Sequence, residues 1–198
     1  MLKKLIKNKA VLLLFSLLGV GSGVIYYLAP PGYSATGALY IKRSVDLSSD
    51  KYFAYEGYYG QQTALSFTNT VAGLIDSMDV RKMSLDKLNV PTTSYNFQKY
   101  SFLIKTKKLG PQLLTLTTKG KTTNSAKNLW EAVADSTIAT ATKINANGDP
   151  ALSISKVSEA PVVKPQFKPI EICLPAGFLM GLFFGVLAVS LKEYFEWK

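Results

Sequence analysis

Two strongly apolar segments lie near the two ends of the 198-residue chain, and they constrain its fold more than any other feature. The first runs from Ala10 to Leu28 and the second from Ile172 to Leu191, and neither contains a charged residue. An α-helix rises 1.5 Å per residue, so each segment reaches about 28–30 Å, roughly the thickness of the hydrocarbon core of a bilayer. Two such helices would place both termini on one side of a membrane and the middle of the chain on the other.

Basic residues before the first apolar segment predict the orientation. Four lysines stand there with no acidic residue among them: Lys3, Lys4, Lys7 and Lys9. This excess predicts a cytoplasmic N-terminus. A cleaved signal peptide is the alternative, but its apolar region usually has only about 7–15 residues. The pair Tyr26 and Tyr27 also suits a membrane interface, so we favour a retained anchor.

These features divide the chain into six parts. We expect a two-pass membrane protein with both termini in the cytoplasm and its main domain on the extracytoplasmic side. The parts are a cytoplasmic N-terminus (1–9), a first transmembrane helix (10–28), an extracytoplasmic α/β domain (29–160), a proline-rich juxtamembrane linker (161–169), a second transmembrane helix (170–191) and a cytoplasmic tail (192–198).

Hydrophobic periodicity in the middle of the chain predicts an α+β domain. Alternation at period two indicates strands, and spacing of three to four indicates helices. The predicted order is a strand (33–45), a long helix (about 52–75), a short helix capped by Ser77, strands at 100–107 and 113–119, a helix capped by Thr123 or Asn124, and a strand at 152–157. This order predicts a ferredoxin-like, split βαβ arrangement, an antiparallel sheet with helices on one face.

Residues suited to catalysis are scarce. The chain has no histidine, and its one cysteine, Cys173, lies inside the second apolar segment. No phosphate-binding loop, nucleophile elbow or metal-ligand cluster is present. Asp76 and Asp79 are close in sequence, but they fall at a helix junction where acidic residues favour the positive N-terminal end. We therefore expect no enzymatic activity, cofactor or metal.

The chain is basic, with a formal net charge of +10, and this charge bears on its partners. The basic residues are scattered rather than arranged in a stripe, and the expected compartment holds no nucleic acid, so we predict no nucleic-acid partner. A positive outer face would attract anionic lipid headgroups or anionic polysaccharide.

Glycines at a spacing of four form the strongest local motif. Gly177, Gly181 and Gly185 fall on one face of the second apolar segment. Gly19 and Gly23 repeat the spacing in the first segment. Such a face lets another helix backbone approach closely, either within one protomer or between protomers. Pro175 predicts a kink or an unwound first turn in the second helix.

Prolines recur every four residues just before the second apolar segment, at Pro161, Pro165 and Pro169. Each removes a backbone donor and favours an extended conformation in the preceding residue. The favoured interpretation is a stiff linker. The alternative is a coupler that transmits the orientation of the outer domain to the membrane helix.

An aromatic cluster lies at the start of the long predicted helix. Its tyrosines are Tyr52, Tyr55, Tyr58 and Tyr59. Exposed rings line protein interfaces and also stack on sugars. We favour packing or subunit contact over glycan binding.

The order of these features resembles that of the Wzz-type polysaccharide chain-length determinants, or polysaccharide co-polymerases. This family includes the membrane adaptors of bacterial capsule tyrosine kinases. The resemblance extends over nearly the whole chain. It rests on the basic start and first apolar segment, Tyr33–Ile41, Ile75–Val80, Leu114–Thr118 with the helix after it, Glu159–Pro161, and the prolines and glycines of the second segment.

The resemblance implies a ring-forming homo-oligomer that sets the length of a surface polysaccharide, such as O-antigen or capsule, by acting on a membrane polymerase. The chain lacks the long helical insertion of the taller members, and we expect no fused kinase domain. A separate tyrosine kinase that contacts the tail 192–198 is the second hypothesis. A structural array on the outer face of the membrane is the third.

Overall fold

A computed structural model describes residues 8–44 and 53–196. The fold is α+β, and it divides into two compact units. One unit joins the two ends of the chain, up to Pro31 and from Phe167 onward, and the other comprises Gly32–Gln166. Tyr52, predicted to belong to the aromatic cluster, lies outside the described residues.

The terminal unit consists of two long apolar helices, α1 (Lys9–Leu28) and α6 (Ile170–Glu196). The mean hydropathy of their most apolar windows is 2.1 and 2.3, and these windows are only 17% and 22% buried. A core helix of a soluble protein would bury most of such a surface. Length, composition and exposure are therefore all compatible with a two-pass membrane protein.

The central unit is built on one antiparallel sheet in which β1 (Tyr33–Arg43) is the longest strand. The strand order is β2 (Ile104–Gly110), β3 (Leu113–Gly120), β1 and β4 (Leu152–Lys156). A fifth strand, β5 (Val162–Pro165), follows β4 along the same side of β1. Strand β1 is thus interior over most of its length, because β3 pairs with its other side over Tyr33–Tyr40.

Helices pack on one face of this sheet and form the core with it. The two longest are α2 (Phe53–Asp76) and α5 (Thr123–Ala146), and α3 (Met78–Lys87) packs against α5. Trp130 of α5 is fully buried, and its Nε1–H donates to the carbonyl oxygen of Leu116 at 3.0 Å. Its ring lies directly against Gly37 of β1, where any side chain would collide with it. This contact joins α5 to the centre of the sheet.

The helix between α3 and β2 was not expected from the sequence. Residues 100–103, predicted to begin a strand, belong instead to α4 (Ser94–Leu103). Thr93 caps α4, and its side chain accepts from the Asn96 N–H at 3.3 Å. Tyr100 and Leu103 are three residues apart and both contact the core from α4. Their spacing is therefore that of one helix face and not that of a strand.

Two capping predictions have different outcomes. Ser77 caps α3, as predicted, and accepts from the Val80 N–H at 3.3 Å. For α5 the predicted caps, Thr123 or Asn124, were wrong by one or two residues, because Thr122 is the cap. Thr122 and Ser125 exchange side-chain to backbone hydrogen bonds in a capping box. This reciprocal pair of hydrogen bonds satisfies two backbone N–H groups. A cap at either predicted position would have no serine three residues later to complete such a pair.

The proline-rich segment does not behave as a linker along its whole length. Val162–Pro165 form β5, paired with Tyr33–Thr36 of β1. An edge strand accepts proline because one side of the strand needs no backbone donor. Pro165 is therefore part of the sheet, and the prediction of a linker over 161–169 is corrected there. Phe167 to Pro169 remain as the connection to α6.

An ion pair ties the end of the α5–β4 connection to β1. The Arg43 guanidinium donates to Asp149 at 2.7 Å, and this hydrogen bond holds the pKa of the Asp149 carboxyl below its ordinary value near 3.8. Asp149 also accepts from the Ala151 N–H at 3.0 Å. A lowered pKa stabilises the fold above that ordinary value, and the contribution is lost as the pH falls through the folded-state pKa.

We expect Asp149→Asn to lower the free energy of unfolding at pH 7 by up to about 1 kcal/mol, since the pair is partly exposed. Asparagine can still accept from the Ala151 N–H through its one carbonyl oxygen, but its NH2 group is a donor and cannot accept from Arg43, so the charge and the Arg43 hydrogen bond are lost together. The measurement is denaturant unfolding of the full chain in detergent at pH 7 and pH 3. The difference between the two proteins should shrink from pH 7 to pH 3, because the pH then falls below the ordinary pKa of the Asp149 carboxyl, and a difference that does not change with pH would contradict the assignment to charge.

Candidate functional site: the glycine-lined helix pair

Small residues line the contact between α1 and α6. The buried positions of α6 recur at a spacing of four, at Gly177, Gly181, Gly185 and Val189. Residues four apart lie on one helix face, so they form a continuous narrow groove. On α1 the corresponding buried positions are Ser16 and Gly23.

The two helix backbones approach closely at these glycines. A methyl group on Gly19 would overlap the carbonyl oxygen of Gly177 and lie 2.7 Å from the Cα of Gly181. A methyl group on Gly23 would lie 2.6 Å from the carbonyl oxygen of Cys173. The structure therefore places the glycines of the first helix against those of the second within one chain. The sequence left open whether the glycine face packs within one protomer or between protomers, and the structure shows packing within one protomer.

Tolerance to added atoms differs along the pair. A methyl group on Gly181 would overlap the Phe15 carbonyl oxygen, which cannot move without moving α1. One on Gly185 would meet only side-chain atoms and Cα of Leu12 and Phe15 at 3.1–3.5 Å. Gly21 faces open space with no atom within 4 Å. Gly21 is thus a natural control position in the same helix.

Polar groups in the pair are satisfied locally. The Ser16 hydroxyl, largely buried between the helices, donates to the Leu12 carbonyl oxygen at 2.8 Å. The Ser22 hydroxyl donates to the Gly19 carbonyl oxygen at 2.7 Å. An apolar environment makes an unpaired hydroxyl costly, so these bonds suit helices that lie in lipid.

The start of α6 is regular. The Pro169 carbonyl oxygen accepts from the N–H groups of Ile172 and Cys173, both at 3.1 Å. Residues on both sides of Pro175 are helical, so the first turn is not unwound. Pro175 is the sixth residue of α6, so the helix runs through it without the i→i−4 hydrogen bond that its N–H would have donated to the Glu171 carbonyl oxygen.

Lys168 lies at this same end of the pair, just before α6 and beside the C-terminal end of α1, and the sequence alone did not indicate its role. Its Nζ lies 3.2, 3.4 and 3.5 Å from the carbonyl oxygens of Ala29, Tyr26 and Pro30. It also lies 4.5 Å from the centre of the Tyr26 ring. A cation at the C-terminal end of α1 satisfies free carbonyl groups and opposes the negative end of the helix dipole.

We expect Lys168→Met to lower the stability of the helix pair by about 1 kcal/mol, since a helix-terminal cation contributes about 0.3–1 kcal/mol and a cation–π contact a similar amount. The measurement is unfolding of the full chain in detergent. Lys9→Met, at the exposed start of the same helix, is the matched control. Equal effects of the two changes would show that Lys168 acts only through net charge.

The remaining predicted site residues are dispersed. Pro161 is buried beside the sheet, and Pro165 pairs with Tyr33. Tyr58 and Tyr59 are 61% and 55% exposed, and their rings meet edge to face with centroids 6.3 Å apart. These two rings are therefore not the packing surface between α2 and the sheet. For Tyr55 the structure describes the backbone alone.

Within residues 8–44 and 53–196, no group of three or more histidine, cysteine or acidic side chains is placed to hold a metal ion. No family model matches the chain, and no curated protein is significantly similar to it.

Proposed function

We propose that the protein is a non-enzymatic, oligomeric regulator of surface polysaccharide chain length or export, similar in its role to the Wzz-type determinants. It would act on a membrane polymerase from the bacterial inner membrane. The observation that carries the proposal is the close packing of α1 with α6. It makes one anchor from the two ends of the chain and leaves a single folded domain between them.

The topology of the central domain supports the same proposal. The order β2-β3-β1-β4, with every described pairing antiparallel, supports the proposal of a split βαβ, ferredoxin-like arrangement. β5 then extends the sheet along β1. A domain of this class just outside the membrane is what the resemblance to the chain-length determinants implies.

Orientation in the proposal follows from charge. The lysines before α1 favour a cytoplasmic N-terminus, and a second transmembrane helix would return the C-terminus to the same side. The central domain is then periplasmic, where a growing surface polysaccharide is extended. Because the glycine face is occupied within the protomer, the proposed ring forms through the other surfaces of the chain.

The experiment is deletion of the gene followed by electrophoresis of surface polysaccharide. We expect polysaccharide to be made without its preferred length, because the polymerase remains and its regulator is gone. An unchanged length distribution would contradict the proposal. Unchanged length together with lost phosphorylation of a cytoplasmic tyrosine kinase would favour the adaptor role instead.

A further inference from the structure

The described strands are basic and contain no acidic residue. Their eight basic residues are Lys42, Arg43, Lys105, Lys107, Lys108, Lys119, Lys156 and Lys164. Side chains alternate between the two faces of a sheet, and this alternation divides the eight residues into two groups.

The three basic residues on the helix-covered face each have a partner. Arg43 pairs with Asp149, and Lys156 pairs with Asp135 at 2.5 Å. Lys108 donates to Asn69 at 3.0 Å. Their charges stabilise the packing of helices and connections on the sheet.

The other five point to the face that no described helix of the domain covers: Lys42, Lys105, Lys107, Lys119 and Lys164. No described carboxylate forms an ion pair with any of them. All but Lys119 are exposed. We call this surface the open lysine face.

Four of these lysines cluster toward one end of the sheet. Lys119 and Lys164 flank Ser34 on the two strands that border β1. Lys105 lies in line with Thr117 and Thr36, and Lys107 follows two residues later, about 7 Å along the strand. Neighbouring strands are about 4.8 Å apart, so the four charges spread over a patch about 15 Å wide.

Hydroxyl groups fill the space between the charges. Ser34, Thr36 and Thr117 share this face and are half-buried, and the Thr36 and Thr117 hydroxyls lie 3.2 Å apart. Tyr40, 39% exposed, lies further along β1. Cations, hydroxyl groups and an aromatic ring together suit a ligand that carries both anions and hydroxyl groups.

We infer that the open lysine face binds an anionic polysaccharide, one that bears carboxylate or phosphate groups at regular intervals. The inference rests on the proposed function and deepens it by naming the chemistry of the chain that is measured. Lysines would pair with the anions, and serine and threonine hydroxyls would bond to sugar hydroxyls. A second copy of the same face is a poor partner, because it would set lysine against lysine.

Anionic lipid is the competing ligand, and the hydroxyl groups argue against it. A layer of headgroup phosphates requires only cations, whereas a row of side-chain hydroxyls matches the many donors and acceptors of a sugar chain. Binding to either ligand weakens as salt screens the charges, so the experiment has to compare the two ligands directly.

The test uses the full chain in nanodiscs of phosphatidylcholine and fluorescent polygalacturonate as the probe, with neutral dextran as the control polymer. We expect binding of polygalacturonate but not dextran at low salt. The quadruple variant K105Q/K107Q/K119Q/K164Q should bind at least about tenfold more weakly. The charge-matched control K82Q/K87Q/K99Q/K143Q, on exposed helical positions, should stay within about twofold of the parent.

Replacement of the same four open-face lysines by arginine should preserve binding, which would assign the loss in the glutamine variant to the missing positive charges. Equal weakening in the control variant would overturn the inference, as would binding to phosphatidylglycerol vesicles without binding to polygalacturonate. Failure here is distinguishable from failure of the proposed function. If only this inference fails, the deletion strain still loses its preferred polysaccharide length. If the proposed function fails, the length distribution in the deletion strain is unchanged, whatever the protein binds.

Discussion

Gly181→Leu is expected to force α1 and α6 apart. A side chain at this position would occupy the space of the Phe15 carbonyl oxygen and the Gly19 Cα, and backbone atoms yield less readily than side chains. Overpacking of this kind costs about 1–3 kcal/mol or more. The measurement is the fraction of SDS needed to unfold the full chain in mixed micelles, together with the size of its oligomer. We expect unfolding at a lower SDS fraction and a broader or smaller assembly.

Gly21→Leu is the matched control for this prediction. The residue type, the added volume and the apolar environment are similar, but nothing lies within 4 Å of the Gly21 site. The control should therefore unfold like the parent. If both leucine variants unfold alike, the glycine face does not hold the helices together.

Gly37→Ala is expected to destabilise the central domain, although it adds only one methyl group. That methyl would overlap the buried Trp130 ring, which is held by its hydrogen bond to Leu116. Trp130→Ala should lower the free energy of unfolding by about 3–5 kcal/mol, the usual cost of deleting a buried aromatic side chain. Thermal and denaturant unfolding of the full chain measure both changes.

Gly73→Ala is the matched control, because the same glycine-to-alanine change should not destabilise the domain at this position. Gly73 lies exposed in α2 with no atom within 4 Å, and alanine is favoured over glycine in a helix by about 1 kcal/mol. This variant should be as stable as the parent or more so. Equal destabilisation by Gly37→Ala and Gly73→Ala would contradict the role assigned to the Gly37–Trp130 contact.

Periodic elements of this fold could be predicted from the sequence because each carries its own pattern. Alternation over Tyr33–Arg43 and helical spacing through Trp130 and Val133 are local signals, and both elements are present. Helix α4 was missed because Tyr100 and Leu103 fit either a strand or a helix over so short a stretch. Strand β5 was missed because its pairing partner, Tyr33–Thr36, lies far away in sequence.

The candidate site shows the same division between local and distant information. The spacing of Gly177, Gly181 and Gly185 predicts a packing face, but the spacing does not identify the helix that occupies it. Lys168 carries no motif, and its role depends on the end of α1 being adjacent in space. The open lysine face likewise emerges only when the register of the strands is known.

The most direct test of the central claim is the length distribution of surface polysaccharide in the deletion strain complemented at equal protein levels. We expect the parent and Gly21→Leu to restore the preferred length, whereas Gly181→Leu should give a broad distribution. The same distribution with and without the parent gene would contradict the proposed function. Full restoration by Gly181→Leu would contradict the dependence of that function on the packed pair of helices.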